Sequence, residues 1–290
     1  MEINRVGTFT TRWGESLVWD ERRSRLMFVD CGTRTIHWLD AGDEDPQTFH
    51  APSMPTGVVP TTDGRFVVVM EDGLYLFDVD AASIALLSRY PESLGGRCND
   101  ACADLDGHLI TGRLNLGPEE GSAWWFAPSG EWRLLDDDIS NTNGPNVAVL
   151  DGEMTLIIGD TSAHYFAYPY DPPTGRVGPR RVFGDMDALP APVDPSAAAA
   201  GGPDGATFDR DGGLWCALFG RGQVVRFTVD GLDRTIDLDV VNPTDVAFGG
   251  PELDRLYVTS VAGEPGTVDG GLLVIDGLGV QGRPEPRFAV

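Results

Sequence analysis

The sequence contains no lysine, so all 21 of its basic residues are arginine, and they are outnumbered by 45 Asp and Glu residues. The formal net charge is -24 and the isoelectric point is near 4.3. A surface this acidic repels nucleic acid and anionic membranes, so we expect neither as a partner. An arginine-only, Asp-rich composition is typical of a GC-rich genome or of a salt-adapted protein, and we favour the genomic interpretation.

Paired cysteines and long apolar runs are also missing. The four cysteines, Cys31, Cys98, Cys102 and Cys216, contain no C-x-x-C pair, which is typical of free thiols in a reducing compartment. No apolar segment follows the N-terminal residues as in a signal peptide, and none approaches the roughly 20 residues of a membrane helix. We therefore expect a cytoplasmic protein, monomeric or weakly homo-oligomeric, that acts on a small molecule.

No segment shows an apolar stripe of helical period and length, and 37 Gly with 21 Pro interrupt the chain. Six pairs of β-branched and aromatic runs recur instead. Their first runs start at residues 25, 65, 108, 155, 214 and 256. This spacing is close to the roughly 40 to 50 residues of a four-stranded propeller blade. The sequence predicts an all-β fold, a six-bladed β-propeller of four-stranded blades, as one domain over residues 1–290. The longest spacing contains the Pro- and Ala-rich residues 184–202, interpreted as a loop over one face or an insertion without a role.

The innermost strands of a propeller and the loops before them line its central channel. Four polar positions stand 10 to 12 residues before a predicted hairpin, and we expect them to converge there: Glu15, Arg97, Asn143 and Asp204. Asp204 lies in Gly202-Pro203-Asp204-Gly205, where proline and glycine restrict the turn that aims the carboxylate. Taken singly, each of these residues has an ordinary explanation as a loop or turn residue.

Glu15, Asn143 and Asp204 would together offer two carboxylates and an amide carbonyl. These are hard oxygen donors suited to one divalent cation, and three protein ligands leave positions open for water or substrate. Arg97 and Asn99 alternate along an extended segment and could donate hydrogen bonds to a polyhydroxylated or carboxylate-bearing ligand. The alternative for Arg97 is a salt bridge between blades.

Five motifs carry a resemblance to a known family. They are W-G-E-S-L-V-W (13–19), G-R-C-N-D-A-C-A-D-L-D-G-H-L-I-T-G (96–112), T-N-G-P-N-V-A (142–148), G-P-D-G-A-T-F-D-R-D-G-G-L-W-C-A (202–217) and N-P-T-D-V-A-F-G-G-P-E-L-D-R-L-Y-V-T-S (242–260). Together they span nearly the whole chain. The set resembles the senescence-marker-protein/gluconolactonase family, which includes regucalcin, bacterial gluconolactonases and xylonolactonases, and the luciferin-regenerating enzyme.

The resemblance implies a six-bladed propeller with its metal on Glu15, Asn143 and Asp204, and with Asp204 also as general base. It places substrate contacts on Arg97 and Asn99. A further acidic contact is implied in the loop 115–121, at Glu119 or Glu120, with Glu119 as our choice. Ca²⁺ is the expected ion, with Zn²⁺, Mg²⁺, Mn²⁺ and Fe²⁺ as alternatives.

The predicted function is therefore a metal-dependent sugar lactonase that hydrolyses a pentono- or hexonolactone. The family often has glycine where Ala101 stands, which leaves the substrate open, while T-N-G-P is most similar to the pentonolactone-hydrolysing members. The rivals are a non-catalytic Ca²⁺-binding or regulatory propeller, a hydrolase of aryl esters or organophosphates, and a peptide-binding propeller. The G-x-G-x-x-G at residues 277–282 is no dinucleotide site, because only eight residues follow it.

Overall fold

The computed structural model describes residues 1–114, 121–190, 202–263 and 269–290. These residues form six antiparallel sheets arranged as a six-bladed β-propeller, as predicted. The first strand of the chain is β1 (Glu2–Val6). Blade 1 contains β2 (Gly14–Asp20), β3 (Arg25–Asp30), β4 (Thr35–Asp40) and β5 (Gln47–His50). Blade 2 contains β6 (Pro55–Pro60), β7 (Phe66–Met70), β8 (Gly73–Asp78) and β9 (Ser83–Arg89). Blade 3 contains β10 (Cys98–Ala103), β11 (Leu109–Arg113), β12 (Ser122–Phe126) and β13 (Trp132–Asp136).

The remaining strands complete the ring. Blade 4 contains β14 (Thr142–Leu150), β15 (Glu153–Asp160), β16 (Tyr165–Asp171), β17 (Arg176–Val177) and β18 (Arg181–Gly184). Blade 5 contains β19 (Gly202–Phe208), β20 (Leu214–Phe219), β21 (Gln223–Thr228) and β22 (Gly231–Asp237). Blade 6 contains β23 (Pro243–Gly249), β24 (Arg255–Ser260) and β25 (Leu272–Asp276). Short 3₁₀ helices lie, within the described ranges, at Glu92–Leu94, Pro172–Thr174 and Met186–Ala188. Among the residues described, no helix is long and apolar enough to cross a lipid bilayer.

Two blades depart from the simple four-stranded pattern. In blade 4 the outer edge is split, because β17 pairs with the end of β16 and β18 with its beginning. Pro179 stands between these two segments and has no N–H to donate to a ladder. In blade 6 the outermost strand is β1, which pairs antiparallel with β25 and so joins the two ends of the chain.

Apolar side chains fill the spaces between neighbouring blades. Met27, Val68 and Phe77 pack between blades 1 and 2, and Ile157 and Phe227 pack between blades 4 and 5. These positions alternate along the predicted hairpins, so each blade buries one face on each neighbour. The innermost strands β2, β6, β10, β14, β19 and β23 follow one another around the centre.

The C-terminal segment, residues 282–290, closes one end of the central channel. Phe288 is fully buried and stacks on Phe126, with ring centroids 5.8 Å apart. Its backbone N–H donates to Pro60 O (2.9 Å), and Ala289 N–H donates to Gly107 O (2.9 Å). Because these partners lie at or just beyond the ends of β6 and β10, the channel opens at the starts of the innermost strands.

Candidate metal and substrate site

Every innermost strand shifts its register near its start. The shifts fall between Glu15 and Val18 in β2 and between Asn143 and Asn146 in β14, and corresponding shifts occur in β6, β10, β19 and β23. Such β-bulges add one residue to a strand and redirect its side chains. The predicted site residues of β2, β10, β14 and β19 all lie at these bulges, at the open end of the channel. We call this end the mouth.

The register divides the predicted residues into two positions. Glu15 pairs with Val29 and Asn143 pairs with Gly159, each just before the shift. The residue that follows each of them, Ser16 (φ 53°) or Gly144 (φ 49°), has left-handed backbone geometry. Asn99 and Asp204 lie one position further along, inside the bulges of β10 and β19. For Glu15, Asn143 and Asp204 the common sequence offset thus corresponds to two adjacent positions at the mouth, whereas Arg97 directly precedes β10.

Hydrogen bonds link three blades through the predicted amides. Asn99 Nδ2 donates to Asn143 Oδ1 (2.5 Å) and to Thr142 O (3.2 Å). Asn143 Nδ2 donates to Thr161 Oγ1 (2.6 Å) and to Pro203 O (3.3 Å). Both donor groups are therefore used inside the protein. The Oδ1 atom of Asn143 keeps a lone pair for a cation, and the Oδ1 atom of Asn99 can accept from a ligand hydroxyl.

Glu15 and Asp204 form the acidic part of the mouth. Burial raises the pKa of Glu15 to about 8, and the charge of Asp100 adds to the effect. Burial also raises the pKa of Asp204 well above its usual value, and Glu15, Asp100 and Asp245 raise it further. Because other carboxyl groups of this set raise the pKa of Glu15 and that of Asp204, these groups lie near one another. The positive charge beside them does not balance their negative charge. A divalent cation would supply the missing positive charge, so the donor set fits the metal that the family implies.

Arg97 is the cation next to this group. Its charge lowers the pKa of Glu15, which places it near the same mouth. The part of the chain that the structure describes gives Arg97 no ion pair, so the alternative of an interblade salt bridge is not observed there. A guanidinium with free donors beside a metal site suits a ligand rich in oxygen. Glu119 and Glu120 lie outside the described residues.

Two further carboxylates at the mouth were missed. Asp245 accepts from Leu17 N (2.5 Å) in the neighbouring blade and from Val246 N (2.7 Å), and it is 6% exposed. It lies against Gly205, where a Cβ would be 1.9 Å from its Oδ1 atom, so only glycine fits there. The sixth predicted hairpin starts at residue 256, and Asp245 stands 11 residues before it. The spacing used for the other four positions therefore also predicts Asp245.

Asp100 is the second of these missed carboxylates. It accepts from Ala101 N (2.7 Å) and Gly144 N (2.8 Å). Burial raises its pKa to about 6 despite these two hydrogen bonds, and Glu285 in the C-terminal segment contributes to the increase. Asp100 therefore joins the bulge of β10 to that of β14 behind the predicted ligands.

The channel below the mouth is nearly full. Its cavity has a volume of about 30 Å³ and is lined by residues that include Asp100, Asp245 and Glu285. That is room for about one water molecule. A ligand larger than water therefore has room at the mouth but not within the channel.

A separate acidic group lies at the edge of blade 4. Ligand atoms of His164, Asp185 and Asp187 lie within 4.8 Å of one another, and both aspartates are exposed. His164 Nδ1 already accepts from Met186 N (3.1 Å), and Asp185 accepts from Asp187 N (3.0 Å) as the cap of a 3₁₀ helix. None of the three is among the predicted ligands, because His164 precedes β16, the two aspartates belong to the 3₁₀ helix that follows β18, and the sequence shows no ligand spacing between them.

Comparison with known proteins identifies the family. The model of the SMP-30/Gluconolactonase/LRE-like region matches residues 13–262. The chain is 28% identical over 304 residues to pentonolactonase XacC of Haloferax volcanii, covering 100% of this chain and 99% of that protein. A solved luciferin-regenerating enzyme superposes with a TM-score of 0.88 at 25% identity, over 100% of this chain and 99% of the other. Regucalcin of Agrobacterium tumefaciens, described as a calcium-binding protein, gives a TM-score of 0.85 at 26% identity over 99% and 97%. The chain belongs to the SMP-30/gluconolactonase/LRE-like family.

Proposed function

We propose that the protein is a metal-dependent sugar lactonase that hydrolyses a pentono- or hexonolactone to the aldonic acid. The observation that carries this proposal is the convergence of Glu15, Asn143 and Asp204 at the bulged starts of three innermost strands. Arg97 and Asn99 flank them with unused polar atoms. The named relatives that are lactonases support a hydrolase of carboxylic esters, and pentonolactonase XacC matches over the full chain.

Glu15, Asn143 and Asp204 would hold the cation, whose chemistry when bound is to polarise the lactone carbonyl. Asp204 takes a proton from the attacking water as the new C–O bond forms at the carbonyl carbon. When the ring C–O bond breaks, the leaving alkoxide takes that proton back from Asp204, so that the aldonic acid is released and the carboxylate is restored. Burial and then the neighbouring acidic groups raise the pKa of Asp204, which strengthens it as a base, while a bound cation would lower that pKa.

Arg97 and Asn99 would position the sugar. The Asn99 amide donates to Asn143 and Thr142, so its carbonyl oxygen is the atom left to accept from a sugar hydroxyl. The Arg97 guanidinium would donate to ring oxygens and to the carboxylate of the product. A mouth lined by carboxylates, amides and an arginine suits a polyhydroxylated ligand better than an aryl ester, for which an apolar lining is expected.

A non-catalytic Ca²⁺-binding protein is the second candidate, because the same donors suit a resting Ca²⁺ and a regucalcin described as calcium-binding superposes closely. The two functions differ in one measurable property. A binding protein takes up metal but does not accelerate hydrolysis, whereas a lactonase does both.

The test is hydrolysis of a panel of pentono- and hexonolactones, followed by pH-stat before and after chelation and after return of single divalent metals. We expect activity that chelation removes and one metal restores best. Asp204→Ala should abolish it without unfolding the protein, while Asp211→Ala, at an exposed position in the turn between β19 and β20, should retain it. Metal binding without any acceleration would establish the binding protein instead, and full activity in Asp204→Ala would end the proposed mechanism.

A further inference from the structure

Trp13 is a large aromatic residue held in place by its backbone while its side chain remains accessible. It precedes β2 directly and is 41% exposed. Its backbone N–H donates to Asp30 Oδ1 (3.0 Å), and its carbonyl accepts from Cys31 N (3.0 Å). It also bridges to Val261 at the end of β24. Blades 1 and 6 both fix the position of this residue, so its exposure is not a sign of a loose loop.

The one polar atom of the indole is committed to a predicted metal ligand. Trp13 Nε1–H donates to Glu15 Oε1 at 2.9 Å. An indole has a single donor and no acceptor, so this hydrogen bond fixes both the ring and the carboxylate. A donor on one oxygen of a carboxylate leaves the second oxygen of Glu15 for a cation. Hydrogen bonds to a charged acceptor are stronger than those between neutral groups.

Asp30 fixes the backbone on which Trp13 and Glu15 stand. Its carboxylate accepts from the backbone N–H groups of Arg12, Trp13, Gly32 and Thr33. It therefore joins the loop that carries Trp13 to the end of β3, and Gly14 pairs with Asp30 directly before Glu15. The position of Trp13 is thus determined by the same contacts that start β2, and the ring borders the mouth beside Glu15.

We propose that Trp13 is a positioning residue that orients Glu15 for the cation, and that its exposed ring forms the wall on which the C–H face of the sugar lactone packs. This inference rests on the proposed lactonase function for its second part only. Aromatic faces suit the C–H side of a sugar ring because that side is apolar, whereas the hydroxyl groups are left for Arg97 and Asn99.

Two substitutions separate the two roles. Trp13→Phe keeps an aromatic face and removes the donor, whereas Trp13→Ala removes both. Trp132→Phe is the matched control, since Trp132 Nε1 also donates to a side chain, Ser88 Oγ at 3.3 Å, in another part of the molecule. Loss of such an outer hydrogen bond weakens metal binding by about 10- to 100-fold in other sites.

The measurements are Ca²⁺ affinity by titration calorimetry, thermal stability of the metal-free protein, and KM with kcat at saturating metal. We expect Trp13→Phe and Trp13→Ala to bind Ca²⁺ about tenfold more weakly at unchanged metal-free stability, with Trp132→Phe unaffected. At saturating metal, only Trp13→Ala should raise KM. Wild-type Ca²⁺ affinity in Trp13→Phe would overturn the positioning role, and an unchanged KM in Trp13→Ala would overturn the wall. A protein without lactonase activity would refute the proposed function, while the calorimetry would still decide whether Trp13 orients Glu15.

Discussion

Asp204 and Asp209 lie five residues apart, one near the start of β19 and one directly after its end. Both are almost completely buried, at 6% and 2% exposure. Burial raises the pKa of Asp204, and three neighbouring carboxyl groups raise it further. Burial would raise the pKa of Asp209 as well, but hydrogen bonds from Arg226, Gly213 and Trp215 outweigh it and hold that pKa below its usual value. One end of this strand thus carries a carboxylate surrounded by other carboxyl groups, at the mouth, and the other end carries a carboxylate paired with an arginine.

Blade 3 repeats the contrast. At the mouth, Asp100 accepts two backbone hydrogen bonds and still has a pKa raised to about 6. At the other end of β10, Asp104 accepts from the N–H groups of Asp106 and His108 and from Tyr170 OH (2.6 Å). These contacts make Asp104 a turn residue. The closed end uses carboxylates to stabilise turns, whereas the mouth concentrates negative charge that a cation can bind.

The largest predicted effect is a loss of activity on substitution of Asp204 at the mouth, without a loss of stability. Asp204→Asn replaces a carboxyl group that has no ion-pair partner among the described residues and that is costly to ionise when buried, so the metal-free protein should be at least as stable as wild type. Activity should fall by about 1,000-fold or more, equivalent to about 4 kcal/mol of transition-state stabilisation, because the ligand and base are lost together. Lactone hydrolysis and thermal unfolding of the same preparations measure both effects. A strongly destabilised Asp204→Asn would contradict this, because it would mean that Asp204, like Asp209, stabilises the fold.

At the closed end, substitution of Asp209 should lower stability and leave Ca²⁺ affinity unchanged. Asp209 accepts from Arg226 Nε (2.7 Å) and Trp215 Nε1 (2.8 Å), and Asp209→Ala would leave both of these donors without their partner. Arg226 would keep its second partner, since Nη1 donates to the partly exposed Asp233 (2.8 Å), so the cost should lie near the lower end for a broken buried pair, about 3 kcal/mol. Urea unfolding should show this loss, and Ca²⁺ affinity should not change. The control is Asp209→Ala with Arg226→Met, which should recover part of the stability because no buried charge is left alone.

The repeat pattern predicted the blades because each hairpin carries β-branched and aromatic residues between glycine turns, and those patterns are local. The sequence could not place β1, since Glu2–Val6 is mostly polar and exposed and pairs only through ring closure with β25. The split outer edge of blade 4 was likewise not foreseen, because it depends on where β16 finds two short partners.

The sequence offset placed Glu15, Asn143 and Asp204 within one residue of the same position in the bulges of β2, β14 and β19, whereas their roles as ligands stay a prediction. The offset before each hairpin located Glu15 and Asn143, but it could not distinguish their position from that of Asp204, because an added bulge residue is invisible in a count along the chain. Asp245 stood at the same offset and was passed over. Asp245 accepts from Leu17 N in the neighbouring blade. The two residues are 228 positions apart in the sequence, so no local pattern predicts this contact.

The pH dependence of stability should sharpen the comparison. Because the pKa of Asp204 is raised on folding, the native state keeps a proton that the unfolded chain has already lost above its ordinary value of 3.8. Stability of the metal-free wild type should therefore fall as pH rises through this window, by up to about 1.4 kcal/mol per pH unit for one proton. Asp204→Asn should lack this pH-dependent loss. The difference in unfolding free energy between Asp204→Asn and the wild type should therefore grow from pH 4 to pH 8. Urea unfolding in chelator at several pH values tests this, and parallel curves for the two proteins would contradict it.

The smallest effect is expected where the mouth meets the core. Tyr165 is fully buried on β16, and its hydroxyl donates to the backbone carbonyl of Asp204 (2.6 Å). Tyr165→Phe leaves that carbonyl without this donor and should cost about 1 kcal/mol of stability. Because the same contact holds the bulge of β19, Ca²⁺ affinity should also fall by a few fold, a combination that neither aspartate variant shows. Tyr168→Phe, which removes a hydroxyl bonded to Asp136 (2.7 Å) away from the mouth, is the control and should change stability alone. Equal Ca²⁺ affinity in wild type and Tyr165→Phe would mean that the bulge, and not its support from β16, fixes Asp204.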